Sequence, residues 1–221
     1  MHAQKVKAVI FDMDGLMFDT ERVFMRGYTA AGEALNLPNS VILTELTMGC
    51  SHEQEIRIID ELYQIPGIGK QVSDFVRVYL AKEVEEHGVP VMPGLYELLE
   101  FIRSKQLPAG IASGSPKNDI LHHLRATGLE TYFQAMVGSD MIASSKPNPD
   151  IYLFCSRMLG VEPEHCLVLE DSINGILAAK RAGMIPVMVP NLVQPDAETE
   201  SRLYAKLHNL AEAIPLIESL L

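Results

Sequence analysis

Val6-Lys7-Ala8-Val9-Ile10-Phe11, followed at once by Asp12-Met13-Asp14-Gly15, decides how this chain folds. The apolar run is rich in β-branched side chains and stops abruptly at carboxylates, which marks a short buried strand ending in a polar turn. The next segment is not a second strand. From about Thr20 to Met92 every strong pattern is helical. Ser51 to Gln54 has the spacing of a capping box, and Ile56, Ile59, Leu62 and Tyr63 share a face behind it. Val72, Phe75, Val76, Tyr79, Leu80 and Val84 repeat that periodicity up to a stop at Gly88.

After Pro93 the period changes. Leu95, Leu98, Leu99 and Ile102 mark a helix and Pro108 to Ala112 a strand. Ser115 and Pro116 read as N-cap and first helical residue of a helix ending near Gly128, and Ala135 to Val137 is a third strand. Asn148 and Pro149 repeat the start signal, with a stop at Gly160. Cys166 to Leu169 is the most apolar strand, Ser172 caps a helix ending at Gly183, and Pro186 to Val189 reads as the last strand. Parallel strands need a crossover between them, so this alternation predicts an α/β fold: a doubly wound parallel sheet, Rossmann-like, covered on both faces. The helical block interrupts it after the first strand. Residues 1–18 and 93–221 are therefore expected to form the catalytic core and residues 19–92 an all-helical cap, hinged near Asp19 and Met92.

Composition narrows the function. At 221 residues the chain can bury about 70% of its unfolded surface, and with 48% hydrophobic and 21% charged residues it is an ordinary globular protein. The formal net charge of −11 repels phosphate backbones and anionic lipid, so neither nucleic acid nor a membrane surface is expected as a partner. Any phosphate must meet a locally positive site. The three cysteines, Cys50, Cys155 and Cys166, show no C-x-x-C spacing and read as reduced thiols, and no apolar run is long enough for a signal peptide or a membrane span. A cytoplasmic protein is expected.

In open α/β sheets ligands bind at the carboxyl ends of the strands. Four sets of polar residues fall there: Asp12 and Asp14, Ser113 and Gly114, Lys146, and Glu170 with Asp171. Like charges converging from two strand ends cannot all stay ionised without a cation, and oxygen-only ligands suit Mg²⁺ better than zinc. Lys146, the Ser113 hydroxyl and backbone N–H groups then supply a phosphate site. Residues i and i+2 of an extended segment point to one side, so Asp12 can attack phosphorus while Asp14 exchanges protons with the leaving group and then with water. Taken singly, each of these residues also suits a turn, a cap or a solvated surface. Their joint placement at one edge is what points to an active site.

These motifs resemble the haloacid dehalogenase superfamily, in the branch containing β-phosphoglucomutases and sugar-phosphate phosphatases. The resemblance rests on Phe11-Asp12-Met13-Asp14-Gly15-Leu16, Ala112-Ser113-Gly114-Ser115, Lys146-Pro147-Asn148-Pro149-Asp150 and Glu170-Asp171-Ser172, in this order, and spans essentially the whole chain. It implies a nucleophile at Asp12, an acid/base at Asp14, and phosphate contacts from Ser113, Gly114 and Lys146. It also implies Mg²⁺ held by Asp12, the Asp14 carbonyl and Asp171, with Glu170 supporting the metal directly or through water. Where β-phosphoglucomutases carry a cap histidine and a cap arginine this chain has Phe24 and His52, which favours a phosphatase over a hexose-phosphate mutase. His52, Glu21 and Arg22 either face the substrate or lie on solvated helix faces.

The expected activity is a Mg²⁺-dependent phosphatase acting, as a monomer, on a small phosphorylated metabolite such as a sugar phosphate through an aspartyl-phosphate. A receiver-like signalling domain needs neither the helical insertion nor the second aspartate. Dinucleotide and P-loop motifs are absent from the sequence.

Overall fold

The structure is a computed structural model and describes residues 5–47, 50 and 52–221. Ser51, where the expected capping box begins, lies outside them. The first strand is β1 (Ala8–Phe11). Four helices follow it: α1 (Thr20–Leu35), α2 (Leu43–Thr47), α3 (His52–Tyr63) and α4 (Ile68–His87). Helices and strands then alternate through α5 (Leu95–Ser104), β2 (Ala109–Ala112), α6 (Lys117–Thr127), β3 (Ala135–Val137), α7 (Asp150–Leu159) and β4 (Cys166–Glu170). The chain ends with α8 (Ile173–Arg181), β5 (Ile185–Met188), α9 (Ala197–Glu200), β6 (Ala205–Lys206) and α10 (Ala213–Glu218). Two compact units result, Met1–Phe18 with Val91–Leu221 and Asp19–Pro90.

The larger unit is a doubly wound α/β domain. Its strands are all parallel, in the order β3-β2-β1-β4-β5-β6. Strand order reverses beside β1, which puts the ligand crevice at the carboxyl ends of β1, β2 and β4. β1 and β4 are buried at every position, as expected for strands covered by helices on both faces. On one face Ala8, Ile10, Ala112, Val137 and Val168 pack with Ile151, Tyr152 and Cys155 of α7 and Ala178 and Ala179 of α8. Cys155 and Cys166 are both buried, and burial pushes the Cys166 thiol up to about 12, so both are inert core thiols.

Among the described residues of the smaller unit the regular elements are helices. Tyr28 and Ala31 of α1, Leu43 of α2, Ile59 of α3, and Ile68, Val72 and Val76 of α4 close its core. Leu62, expected on the buried face of α3, is 44% exposed, because that face is covered only around Ile59.

Two further expectations are corrected. Val189 does not end the sheet: a two-residue strand, β6, adds to its edge, where Tyr204 N donates to Pro186 O and Leu207 N to Met188 O, each at 2.8 Å. So short a strand has no periodicity of its own and exists through its pairing with β5. Ser115 does not cap α6, whose N-cap is Pro116 and whose first helical N–H is taken by the Asp140 side chain. Its hydroxyl is used elsewhere. Among the described residues no helix is long and apolar enough to cross a membrane.

Candidate active site

Register places the acidic residues. Phe11 pairs with Ile111 on one side and with Leu169 on the other, so Asp12, Ala112 and Glu170 stand level across three adjacent strands. Asp12 N donates to Leu169 O at 3.0 Å, which extends the ladder one residue beyond β1. The chain then turns tightly: Gly15 N donates to Phe18 O at 2.9 Å, and Gly15 has a φ of +83°, a conformation that favours glycine.

Lys146 joins the two acidic strand ends. Its Nζ donates to Asp12 Oδ1 at 2.5 Å and to Glu170 Oε1 at 2.7 Å, across sequence separations of 134 and 24 residues. The loop that carries it, between β3 and α7, contains a cis Lys146-Pro147 bond. All three side chains are buried. Glu170 is held on both oxygens: Oε1 also accepts from Tyr152 Oη at 2.9 Å, and Oε2 accepts from Ser172 N at 2.7 Å and Ser172 Oγ at 2.9 Å. Ser172 Oγ in turn accepts from Gly175 N at 3.0 Å, the N-cap of α8 expected from the sequence. Four donors fill the acceptor sites of that carboxylate.

Charge is balanced unevenly within this group. Burial works against the charged form of Glu170, but Lys146 and the two Ser172 hydrogen bonds outweigh it and hold the carboxyl below its ordinary value. Asp12 goes the other way. Burial, with Glu170 and Asp14 nearby, raises its pKa despite Lys146. Burial likewise opposes the ammonium of Lys146, yet Asp12 and Glu170 raise its pKa well above normal, so it stays charged. Asp12, Glu170 and Asp171 each offer an oxygen within 4.8 Å of the others. Three buried carboxylates this close repel one another, a repulsion that a divalent cation would relieve. The donor set is oxygen only, so the residues fit a hard cation.

Asp14 belongs to a second, adjoining cluster. Its Oδ2 accepts from Ser113 Oγ at 3.1 Å and from Ser115 Oγ at 2.7 Å. The amides of the Ser113 turn are partly engaged: Ser113 N donates to Val137 O and Ser115 N to Ser113 Oγ. Gly114 lies between them, half-buried.

Three residues of this site escaped the sequence reading. Tyr152 has no signal of its own in the sequence, and only the fold reveals its hydroxyl on Glu170 and its ring 4.9 Å from Lys146 Nζ. Ser115 carried a cap signal. Gly175 carried none: a Cβ there would fall 1.6 Å from Glu170 Oε1. Four hydrogen bonds stop that carboxylate from moving aside, so Gly175→Ala is expected to cost about 3 kcal/mol or more. Chemical denaturation of the variant against the parent measures it.

Within the helical unit, Arg22 pairs with Asp19 at 3.1 Å and is exposed, while Glu21 is buried in the first turn of α1. His52 Nδ1 lies 3.3 Å from Glu55 Oε2 and 3.2 Å from Ser73 Oγ, and Phe24 stacks obliquely on Tyr28.

Comparison with known proteins agrees with this geometry. Residues 6–183 match the haloacid dehalogenase-like hydrolase family. The phosphorylated carbohydrates phosphatase of Thermotoga maritima is 32% identical over 97% of this chain and 91% of its own. Hexitol phosphatase B of Escherichia coli is 32% identical over 95% of each. A solved Thermotoga maritima structure, described as that of a β-phosphoglucomutase, superposes with a TM-score of 0.78 at 32% identity, over 98% of this chain and all of that one. With its acidic strand edge and buried lysine, the chain belongs to the haloacid dehalogenase-like hydrolases, in their β-phosphoglucomutase-like phosphatase branch.

Proposed function

We propose that this phosphoric monoester hydrolase removes phosphate from a small phosphorylated carbohydrate through an aspartyl-phosphate formed on Asp12. The observation that carries the proposal is the buried Asp12–Lys146–Glu170 bridge at the carboxyl edge of the sheet. Lys146 fixes the plane of the Asp12 carboxylate and presents a positive charge where phosphoryl oxygens arrive, joined there by the Ser113 hydroxyl and the Gly114 turn. The Asp12 carboxylate attacks phosphorus, the bond to the sugar oxygen breaks, and that oxygen takes the proton of Asp14. Water then attacks phosphorus and gives its proton to Asp14. The bond to Asp12 breaks, and phosphate leaves with the carboxylate restored.

Asp12, Asp171 and the Asp14 carbonyl are the residues that would hold Mg²⁺, with Glu170 at their side. When bound, the ion would keep Asp12 ionised and offset charge on the phosphoryl group. Glu170, saturated by Lys146, Tyr152 and Ser172, acts by anchoring the lysine. A phosphatase is favoured over a mutase because Phe24 offers no cation and His52 is engaged with Glu55 and Ser73. The names of the phosphatase relatives support a carbohydrate substrate. Cytoplasmic residence and a monomeric state complete the proposal, with unpaired thiols supporting the first.

Phosphate release across sugar phosphates, hexitol phosphates and nucleotides, with Mg²⁺ and with EDTA, tests the reading. Release from carbohydrate esters is expected to fall by about 100-fold or more in EDTA and to return with Mg²⁺. Exchange of phosphate between sugar positions without release would replace the phosphatase by a mutase.

A further inference from the structure

Ser115 has the sequence context of a helix cap and does something else. α6 begins at Lys117 without it, and its hydroxyl donates instead to Asp14 Oδ2 at 2.7 Å. Ser113 donates to the same oxygen at 3.1 Å, and its own Oγ accepts from Ser115 N at 3.0 Å. A hydroxyl has one proton to give. Ser113 is asked for that proton twice, by Asp14 here and by a phosphoryl oxygen in the reaction proposed above. When Ser113 turns to the phosphoryl group, Ser115 still has its proton on Asp14.

The backbone of this turn is pinned independently of the two hydroxyls. Ser113 N donates to Val137 O and Ser139 N to Ser115 O, each at 3.1 Å, and Lys117 N donates to Asp140 Oδ1 at 2.9 Å. The packing is tight enough that a Cβ on Gly138 would lie 2.4 Å from Lys117 N and 2.8 Å from Ser115 O. Asp14 is thus referenced to the rigid edge of β3 through a side chain the helix does not need.

We infer that Ser115 is a positioning residue for Asp14, keeping the acid aimed at the leaving oxygen while Ser113 serves the phosphoryl group. The inference rests on the reading of Asp14 as general acid. It explains why a serine with a cap signal caps nothing.

Leaving-group dependence separates this role from a structural one. A p-nitrophenolate departs without a proton and a sugar alkoxide does not, so a misaimed acid slows only the second. kcat/KM extends no further than departure of the leaving group, so the later proton return to Asp14 does not enter it. Ser115→Ala is expected to lower kcat/KM about ten-fold on the best alkyl phosphate of the panel and less than about two-fold on p-nitrophenyl phosphate. Ser115→Thr, which keeps a hydroxyl, should recover most of the loss. Equal losses on both esters, or none on either, would overturn the inference. Asp14→Asn is the reference and should show the same split at about 100-fold or more. If Asp14→Asn shows no split, the general-acid reading itself fails. If it splits and Ser115→Ala does not, only the role of Ser115 is lost.

Discussion

Asp12→Asn is expected to abolish turnover, with a loss of roughly 10⁴-fold or more in kcat, while the metal-free protein becomes more stable at neutral pH. The two effects share a cause. Asp12 is a buried carboxylate whose charge is incompletely compensated, because Lys146 is shared with Glu170 and further negative charge lies close by. In the absence of a divalent cation its folded pKa is above the unfolded value, so the folded form binds the proton more tightly. Its contribution to stability is then full below about pH 4 and declines as pH rises through the unfolded value toward the raised one. The amide carries no charge and escapes that penalty. Melting in EDTA should place Asp12→Asn above the parent at pH 7.5, with the gap closing near pH 4. Added Mg²⁺ should stabilise the parent by mass action and the variant much less. A variant that keeps turnover, or melts below the parent at pH 7.5 in EDTA, would contradict the assignment.

Lys146→Met is expected to produce the largest loss of stability in the core, about 3–5 kcal/mol or roughly 6–20 °C in Tm, together with loss of activity. The ammonium bridges Asp12 and Glu170, and both of these partners are buried. Removing it leaves carboxylates that must take up protons or admit water. Glu170→Gln added to Lys146→Met removes one of those charges and keeps one acceptor oxygen for the Ser172 donors, with the amide NH2 turned to the Tyr152 hydroxyl, which can accept, so the double variant should regain part of the lost Tm and none of the activity. Additive losses in this cycle would show that Lys146 and Glu170 do not act as a pair. Activity restored with stability would show that Lys146 is structural and has no part in binding phosphate.

Much of this arrangement is local and therefore readable from the chain. The apolar run read at Val6 to Phe11 holds the buried strand Ala8–Phe11, Gly128 and Gly160 stop helices in the left-handed conformation, and Ser172 caps α8 because its own sequence neighbours supply the donors. The four polar sets fall at carboxyl edges because strand limits are set by apolar runs and their breakers. β6 was illegible, since two residues have no period and pair only because β5 offers an edge. Tyr152 had no signal of its own in the sequence: it lies in the core, and only the packing of α7 carries its hydroxyl to Glu170.

The chain alone, through periodicity, punctuation and the order of four motifs, determined a parallel α/β core with a helical insertion and an acidic, lysine-bearing strand edge. Tertiary structure decided which oxygen each donor chose: Lys146 on Asp12 and Glu170, Tyr152 on Glu170, and Ser115 on Asp14 instead of the helix beside it. A cap or a helical face is a relation among residues a few positions apart, whereas a hydrogen bond across 134 residues depends on strand register and the packing of turns. Only the assembled sheet brings those atoms within reach.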